Sequence, residues 1–194
     1  MNAWNLPNPV AQSIVRLCKV AYLLYICMPV MPETMSLVLK IRELLMSATF
    51  NFSNGVLDVG TGPVLAPDCT TVSDLVGAGW KALDAQNGWE SFSVDELMIW
   101  RHSFAVAARF QEGKFAAIDC IWNDGSIRKE DWSATDDDLI CEKKTLVKLI
   151  MTEAQTTPVA TSQGVDSFVF NWGTISVRAD PRSMMVMLTI TYSK

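Results

Sequence analysis

The stretch that most restricts the fold is the last one. In MMVMLTITY at 184–192, Val186, Leu188, Ile190 and Tyr192 fall on one face of an extended chain, and Met185, Met187, Thr189 and Thr191 on the other. A strand, with its period of two, sorts side chains that way. A second apolar stretch, SFVFNWGTISVR at 167–178, precedes it across the turn ADPRS at 179–183. The two are expected to form an antiparallel pair. Both faces of the final strand are apolar or uncharged, so both can be covered, and helices are expected to pack on the sheet.

The same period appears earlier. FAVAARF at 104–110 and FAAIDCIW at 115–122 flank QEGK at 111–114, a glycine-containing link that predicts a β-hairpin, and NDGS at 123–126 ends it. TDDD at 135–138 then supplies caps and first-turn carboxylates for a helix over 139–154. In that helix Leu139, Leu146, Val147 and Ile150 point inward, and Lys143, Lys144 and Lys148 outward. Residues 156–164 read as a loop.

The front half has helical spacing. Asn8 followed by Pro9 suits a helix start, and Val10, Ile14, Leu17, Cys18, Ala21, Leu24, Tyr25 and Met28 recur on one side until Pro29. A second helix begins near Pro32 and carries Met35, Val38, Leu39, Leu45 and Met46. These two are expected to pair antiparallel. Residues 50–70 are turn-rich around one short strand, GVLDVG at 55–60. A third helix is expected over 72–85, weakened by Gly77 and Gly79, before a turn at Asn87 and Gly88. No repeat or linker divides the chain. The expected architecture is a single α+β domain, 1–194: an antiparallel sheet built mainly from the C-terminal half, covered by N-terminal amphipathic helices.

Composition excludes several functions. With 49% hydrophobic and 19% charged residues in 194, the chain is no disordered tail. A net charge of −5 and no basic run longer than two residues remove the counterion-release drive, so DNA is not a partner and RNA is not expected as one. His102 is the one histidine, and Cys18, Cys27, Cys69, Cys120 and Cys141 include no C-x-x-C pair, so no metal site is expected. The thiols are read as reduced and mostly buried. The apolar run at 20–31, behind Arg16 and Lys19, is too short to span a bilayer and lacks a small-x-small cleavage site. It reads as a buried or membrane-seeking helix. His102 is taken as a strand histidine satisfied by a neighbour, and Asp136, Asp137 and Asp138 as helix caps rather than a cation site.

Three local resemblances follow. VLDVGTG at 56–62 resembles motif I of the S-adenosylmethionine-dependent methyltransferases, which implies cofactor contacts from Asp58, Gly60 and Gly62, with Asp84 on the ribose. KFAAID at 114–119 is similar to a stretch in the coat proteins of flexuous filamentous plant viruses, where an arginine pairs with the aspartate near RNA; Arg101 is the candidate for Asp119. DELMIWRHS at 95–103, the strand to Trp122 and the 173–179 and 184–190 segments resemble the Cyt-type cytolysins. That resemblance implies a sheet of long antiparallel strands wrapped by amphipathic helices, and insertion into membranes after rearrangement.

The leading expectation is a non-enzymatic, membrane-associating, cytolysin-like protein that binds lipid and oligomerises or forms pores, with a lipid membrane and further copies of itself as partners and no cofactor. The alternatives are a small methyltransferase using Asp58, Gly60, Gly62 and Asp84, or a self-assembling structural protein of the viral coat kind.

Overall fold

From residue 47 onward, short apolar and uncharged side chains alternate, and the backbone follows them into strands. The computed structural model of the chain describes residues 47–86, 88–127, 134–162 and 164–193. The chain divides into two compact units, Met1–Leu45 and Met46–Lys194, and every described residue belongs to the second. The two helices expected between residues 8 and 47, and the apolar run at 20–31, lie outside the described residues.

The described elements run β1 (Ser47–Asn51), β2 (Val56–Asp58), β3 (Val64–Leu65), α1 (Val72–Gly77), β4 (Lys81–Gln86), β5 (Trp89–Ile99), β6 (His102–Gln111), β7 (Lys114–Trp122), α2 (Asp136–Ala154), β8 (Ala160–Ser162), β9 (Val165–Phe170), β10 (Gly173–Asp180) and β11 (Met185–Tyr192). They form one sheet in the order β3-β2-β1-β5-β6-β7-β11-β10-β9-β8, with β4 beside the N-terminal half of β5. Neighbours are antiparallel except β1 and β5, which run parallel through Ser47–Met98 and Ala48–Ile99.

The hairpins form where turn chemistry permits. Between β6 and β7 the link is Glu112 and Gly113, both left-handed at φ 52° and 75°, and Gln111 pairs with Lys114. This is the backbone of a two-residue hairpin turn, which glycine adopts without strain. β5 and β6 meet in a similar turn at Trp100 and Arg101, φ 52° and 66°, where no glycine helps. The 167–178 stretch is two elements: it doubles back at Asn171 and Trp172, so that Ile175 faces Phe168 across β9 and β10. β11 joins β7, not a sequence neighbour, with Ile190 opposite Ile118.

One face of the sheet is the core. Phe104, Val106, Ile118, Cys120, Phe168, Ile175, Val177, Leu188 and Ile190 point there, all at most 1% exposed. Helix α2 covers one side of this face with Leu139, Leu146 and Ile150. The lobe of residues 47–80 covers the other, bringing Leu57, Leu65 and Leu75 to full burial. The expected α+β architecture with N-terminal amphipathic helices over the sheet is therefore corrected. Among the described residues the chain is mostly strand, and its cover comes from α2 and from the 47–80 lobe.

Two further corrections have local causes. The helix expected over 72–85 stops at Gly77; Thr71 caps it, Leu75 is its one buried residue, and Gly79 at φ +84° turns the chain into β4. In α2 the Thr135 hydroxyl accepts from Asp138 N while the Asp138 carboxylate accepts from Thr135 N, a reciprocal cap. Lys143, expected outward, is turned in: its Nζ lies 2.8 Å from Asp166 on β9, both side chains less than one-sixth exposed. Glu142 is buried too, and its Oε2 accepts from Ile127 N at 2.6 Å and from Ser126 Oγ at 2.9 Å.

Candidate functional site

The opposite face of the sheet carries a different set of side chains. Strand alternation puts Ser93, Ala107, Asp119, Thr189, Ser176 and Ser167 in one register row across β5, β6, β7, β11, β10 and β9. The flanking rows add Leu83, Ser91, Arg109, Ala117, Thr191, Thr174 and Val169 on one side, and Ala105, Ile121, Met187, Arg178 and Val165 on the other. Most of these are short and uncharged.

Among the described residues, two ion pairs interrupt that surface: at its β4 edge the exposed Lys81 Nζ lies 2.7 Å from Asp95 Oδ2, beside Ser93, and a less exposed pair stands on β6 and β7. Arg109 Nη1 lies 3.0 Å from Asp119 Oδ2, and Asp119 Oδ1 accepts from the Thr189 hydroxyl at 2.7 Å. The register shift between Arg109 and Phe110 sets Arg109 opposite Ala117, diagonal to Asp119 and within its reach. The guanidinium also stacks over the ring of Trp89 on β5, 4.3 Å from its centroid. Each carboxylate oxygen has a partner, and the arginine is held by both a charge and a ring. The side chains are 34% and 17% exposed, so the pair adds little stability and chiefly fixes geometry.

At one end of β6 lies a smaller cluster. His102 Nδ1 is 3.4 Å from Asp124 Oδ2, while Asp124 Oδ1 accepts from Ser103 N at 3.2 Å. Asn123 Nδ2 donates to Asp95 O and to Ser103 Oγ. The imidazole meets the edge of Trp122 at 5.2 Å. His102 and Ser103 are successive strand residues whose side chains leave on opposite faces, so they do not form a nucleophile and base. His102 is a strand histidine with a neighbouring partner.

The residues singled out for a methyl-donor cofactor are placed as follows. Asp58 ends β2, and its Oδ1 accepts from Gly60 N at 2.9 Å in a local turn. Gly60 sits at φ +66°, and Gly62 N donates to Val59 O. The chain continues into β3, with no helix starting after Gly62, and β2 is antiparallel to both β1 and β3. Asp84 lies on β4, which pairs with β5 and not with β2. Among the described residues, β2 has no parallel neighbour and the run is followed by a strand, unlike the strand–loop–helix in which such a cofactor is usually cradled.

The coat-protein expectation is corrected in its pairing. The arginine that meets Asp119 is Arg109, from the other strand of the hairpin, while Arg101 stands in the turn at the far end of β6. Both residues lie on the strands of the expected hairpin, but they meet diagonally across a register shift that the sequence does not announce, and the contributions of Thr189 and Trp89 had no local trace.

Cys69, Cys120 and Cys141 are free thiols. Burial, and secondarily the charge of Asp119, push the Cys120 thiol well above its ordinary range, so it behaves as a small apolar side chain. Among the described residues no three His, Cys, Asp or Glu side chains gather into a metal site, and no helix is long and apolar enough to cross a membrane.

No family model matches the sequence, and no curated protein matches it. Among solved structures, a chain from Rhs1-CT in complex with its cognate immunity protein RhsI1 is similar, with 14% identity and a TM-score of 0.44 over 75% of this chain and 86% of that one. Two expectations are corrected by this finding. The similarity is not to a Cyt-type cytolysin, and the partner in that structure is a protein rather than a lipid membrane or further copies of one chain.

Proposed function

We propose that the domain formed by residues 46–194 recognises a protein partner through the outer face of its sheet, in a toxin-like role. The outer face itself carries this reading. The face that an antiparallel sheet turns to water ordinarily carries the polar half of each strand's alternation. This one presents mostly serine, alanine and threonine, with Ile121 and Met187 among them, around a half-buried arginine–aspartate pair with a tryptophan beside it, and its other charges, Arg178 and the Lys81–Asp95 pair, stand off that centre. Short neighbours let a partner surface come close, and pre-ordered Trp and Arg side chains are the residue types that concentrate binding energy. A toxin-like role exercised through a protein counterpart is compatible with such a surface. Recognition of a partner rests on the face; the toxin-like role is the part of the sequence expectation that is kept, and the growth experiment tests it.

The test is expression of the full chain from a tightly controlled promoter in a bacterial host, with Trp89→Ala and Arg109→Ala alongside and folding checked by circular dichroism. The expected result is growth arrest by the wild-type chain, relieved by both variants at equal expression. Absence of arrest at matched expression overturns the toxin-like role. Arrest that both folded variants retain overturns the assignment to this face.

A further inference from the structure

The β1–β3 arm meets the far half of the sheet in an unusual way. Among the described residues, no backbone ladder joins β1, β2 or β3 to β9, β10 or β11. The contact is made by side chains. Trp172 Nε1, from the β9–β10 turn, donates to Phe52 O at 2.8 Å, and the Tyr192 hydroxyl, near the end of β11, donates to Gly55 O at 2.9 Å. Burial pushes the Tyr192 phenol up from its ordinary range, which keeps it a donor. Around these two bonds the rings interlock: Phe50 meets Trp172 edge-on at 5.7 Å, Phe52 stacks on Trp100 at 5.6 Å and lies 6.0 Å from Phe170.

Gly55 makes the fit possible. It adopts φ +73°, and a Cβ there would run into the indole of Trp172. Among the described residues the arm's backbone pairs with the main sheet at two positions, Ser47 with Met98 and Ala48 with Ile99, and its side chains Phe50, Leu57 and Leu65 share the core.

We infer that the β1–β3 arm is a flap, hinged at Ser47–Ala48 and latched by Trp172 and Tyr192, that opens over the aromatic cluster while β5–β7 and β9–β11 stay folded. Opening breaks a two-pair hinge and two side-chain hydrogen bonds and exposes the arm's core residues Phe50, Leu57 and Leu65, while every ladder within β5–β7 and β9–β11 is kept, so the arm opens below the free energy of global unfolding. Opening uncovers Phe50, Phe52, Trp100, Phe170 and Trp172.

Native-state hydrogen exchange on the full chain tests this, following amides of β1 and β2 against those of Val106, Ile118 and Leu188. The expected result is faster exchange in the arm by about tenfold or more. Tyr192→Phe, which removes one hydroxyl, should speed the arm by about a further fivefold, the worth of one hydrogen bond, and leave the reference amides unchanged. Trp172→Phe should act on the same amides. Arm amides that exchange at the rate of the reference amides, or variants that speed all amides alike, would overturn the flap.

Discussion

Replacing Glu142 should destabilise the fold more than any other single change on α2 outside its Leu and Ile contacts. Its carboxylate is buried at 4% exposure and has two donors, Ile127 N at 2.6 Å and Ser126 Oγ at 2.9 Å. Ser126 is exposed and can turn to water, whereas Ile127 is buried and its N–H has no substitute. A hydrogen bond to a charged acceptor contributes roughly 1.5–3 kcal/mol, and an orphaned buried donor costs about 1–3 kcal/mol. With the void left by truncation, Glu142→Ala should lose about 3 kcal/mol, which for a domain of this size is a fall in Tm of roughly 6–12 °C. Glu142→Gln keeps a neutral acceptor of the same shape and should lose about 1 kcal/mol. Gly125 adds a check. A Cβ there would lie 2.6 Å from Glu142 Oε2, so Gly125→Ala should be costly alone and nearly free in the Glu142→Ala background. Urea unfolding followed by circular dichroism compares these four variants with the wild type. If Glu142→Ala falls within about 0.5 kcal/mol of the wild type, or matches Glu142→Gln, the carboxylate does not pin the 123–127 loop and the reasoning fails.

Three other outcomes are expected. Lys143→Met or Asp166→Leu alone strands a largely buried charge and should destabilise by about 2 kcal/mol, while the double replacement should recover most of that loss in the same unfolding assay. The Thr135 hydroxyl, and then its backbone N–H, hold the Asp138 carboxyl below its ordinary range. A lowered native pKa gives stability that is present above the unfolded carboxylate value of 3.8 and is lost as pH falls below it. Thr135→Ala should therefore flatten the acid limb of stability against pH, and an unchanged limb would refute the cap. Gly113→Ala forces a side chain into φ +75° at the β6–β7 turn and should cost about 1–2 kcal/mol, measured as a lower urea midpoint with unchanged slope.

The elements that were legible are those whose pattern is unbroken. β6 and β11 alternate cleanly, β7 does so from Ile118 onward, and the helix over 136–154 announces itself through Thr135 and three aspartates. β5 was missed because its alternation is broken: a register shift between Val94 and Leu97 moves the inward positions from even to odd, so Phe92 and then Leu97 and Ile99 face the core. β4 was read as helix because LDAQ at 83–86 has no strand preference of its own and relies on pairing with β5. Lys143 was placed outside since helical spacing gives direction without saying where an opposite charge lies. Of the site, Asp119 and an arginine partner were anticipated, but with the wrong arginine. The glycine-rich run at 56–62, which resembles a cofactor loop locally, forms β2 and the turn from it into antiparallel β3.

Local sequence determined the β6–β7 hairpin, the final strand and the capped helix, because periodicity, turn residues and caps act between near neighbours and need no distant partner. Only the tertiary structure decided that β11 lies against β7, that Thr189 completes the Arg109–Asp119 pair, and that Trp172 reaches Phe52 across 120 residues of chain. Those choices depend on which arrangement buries Phe104, Ile118, Leu188 and the rest of the core together, a free energy that belongs to the whole sheet and to no single segment.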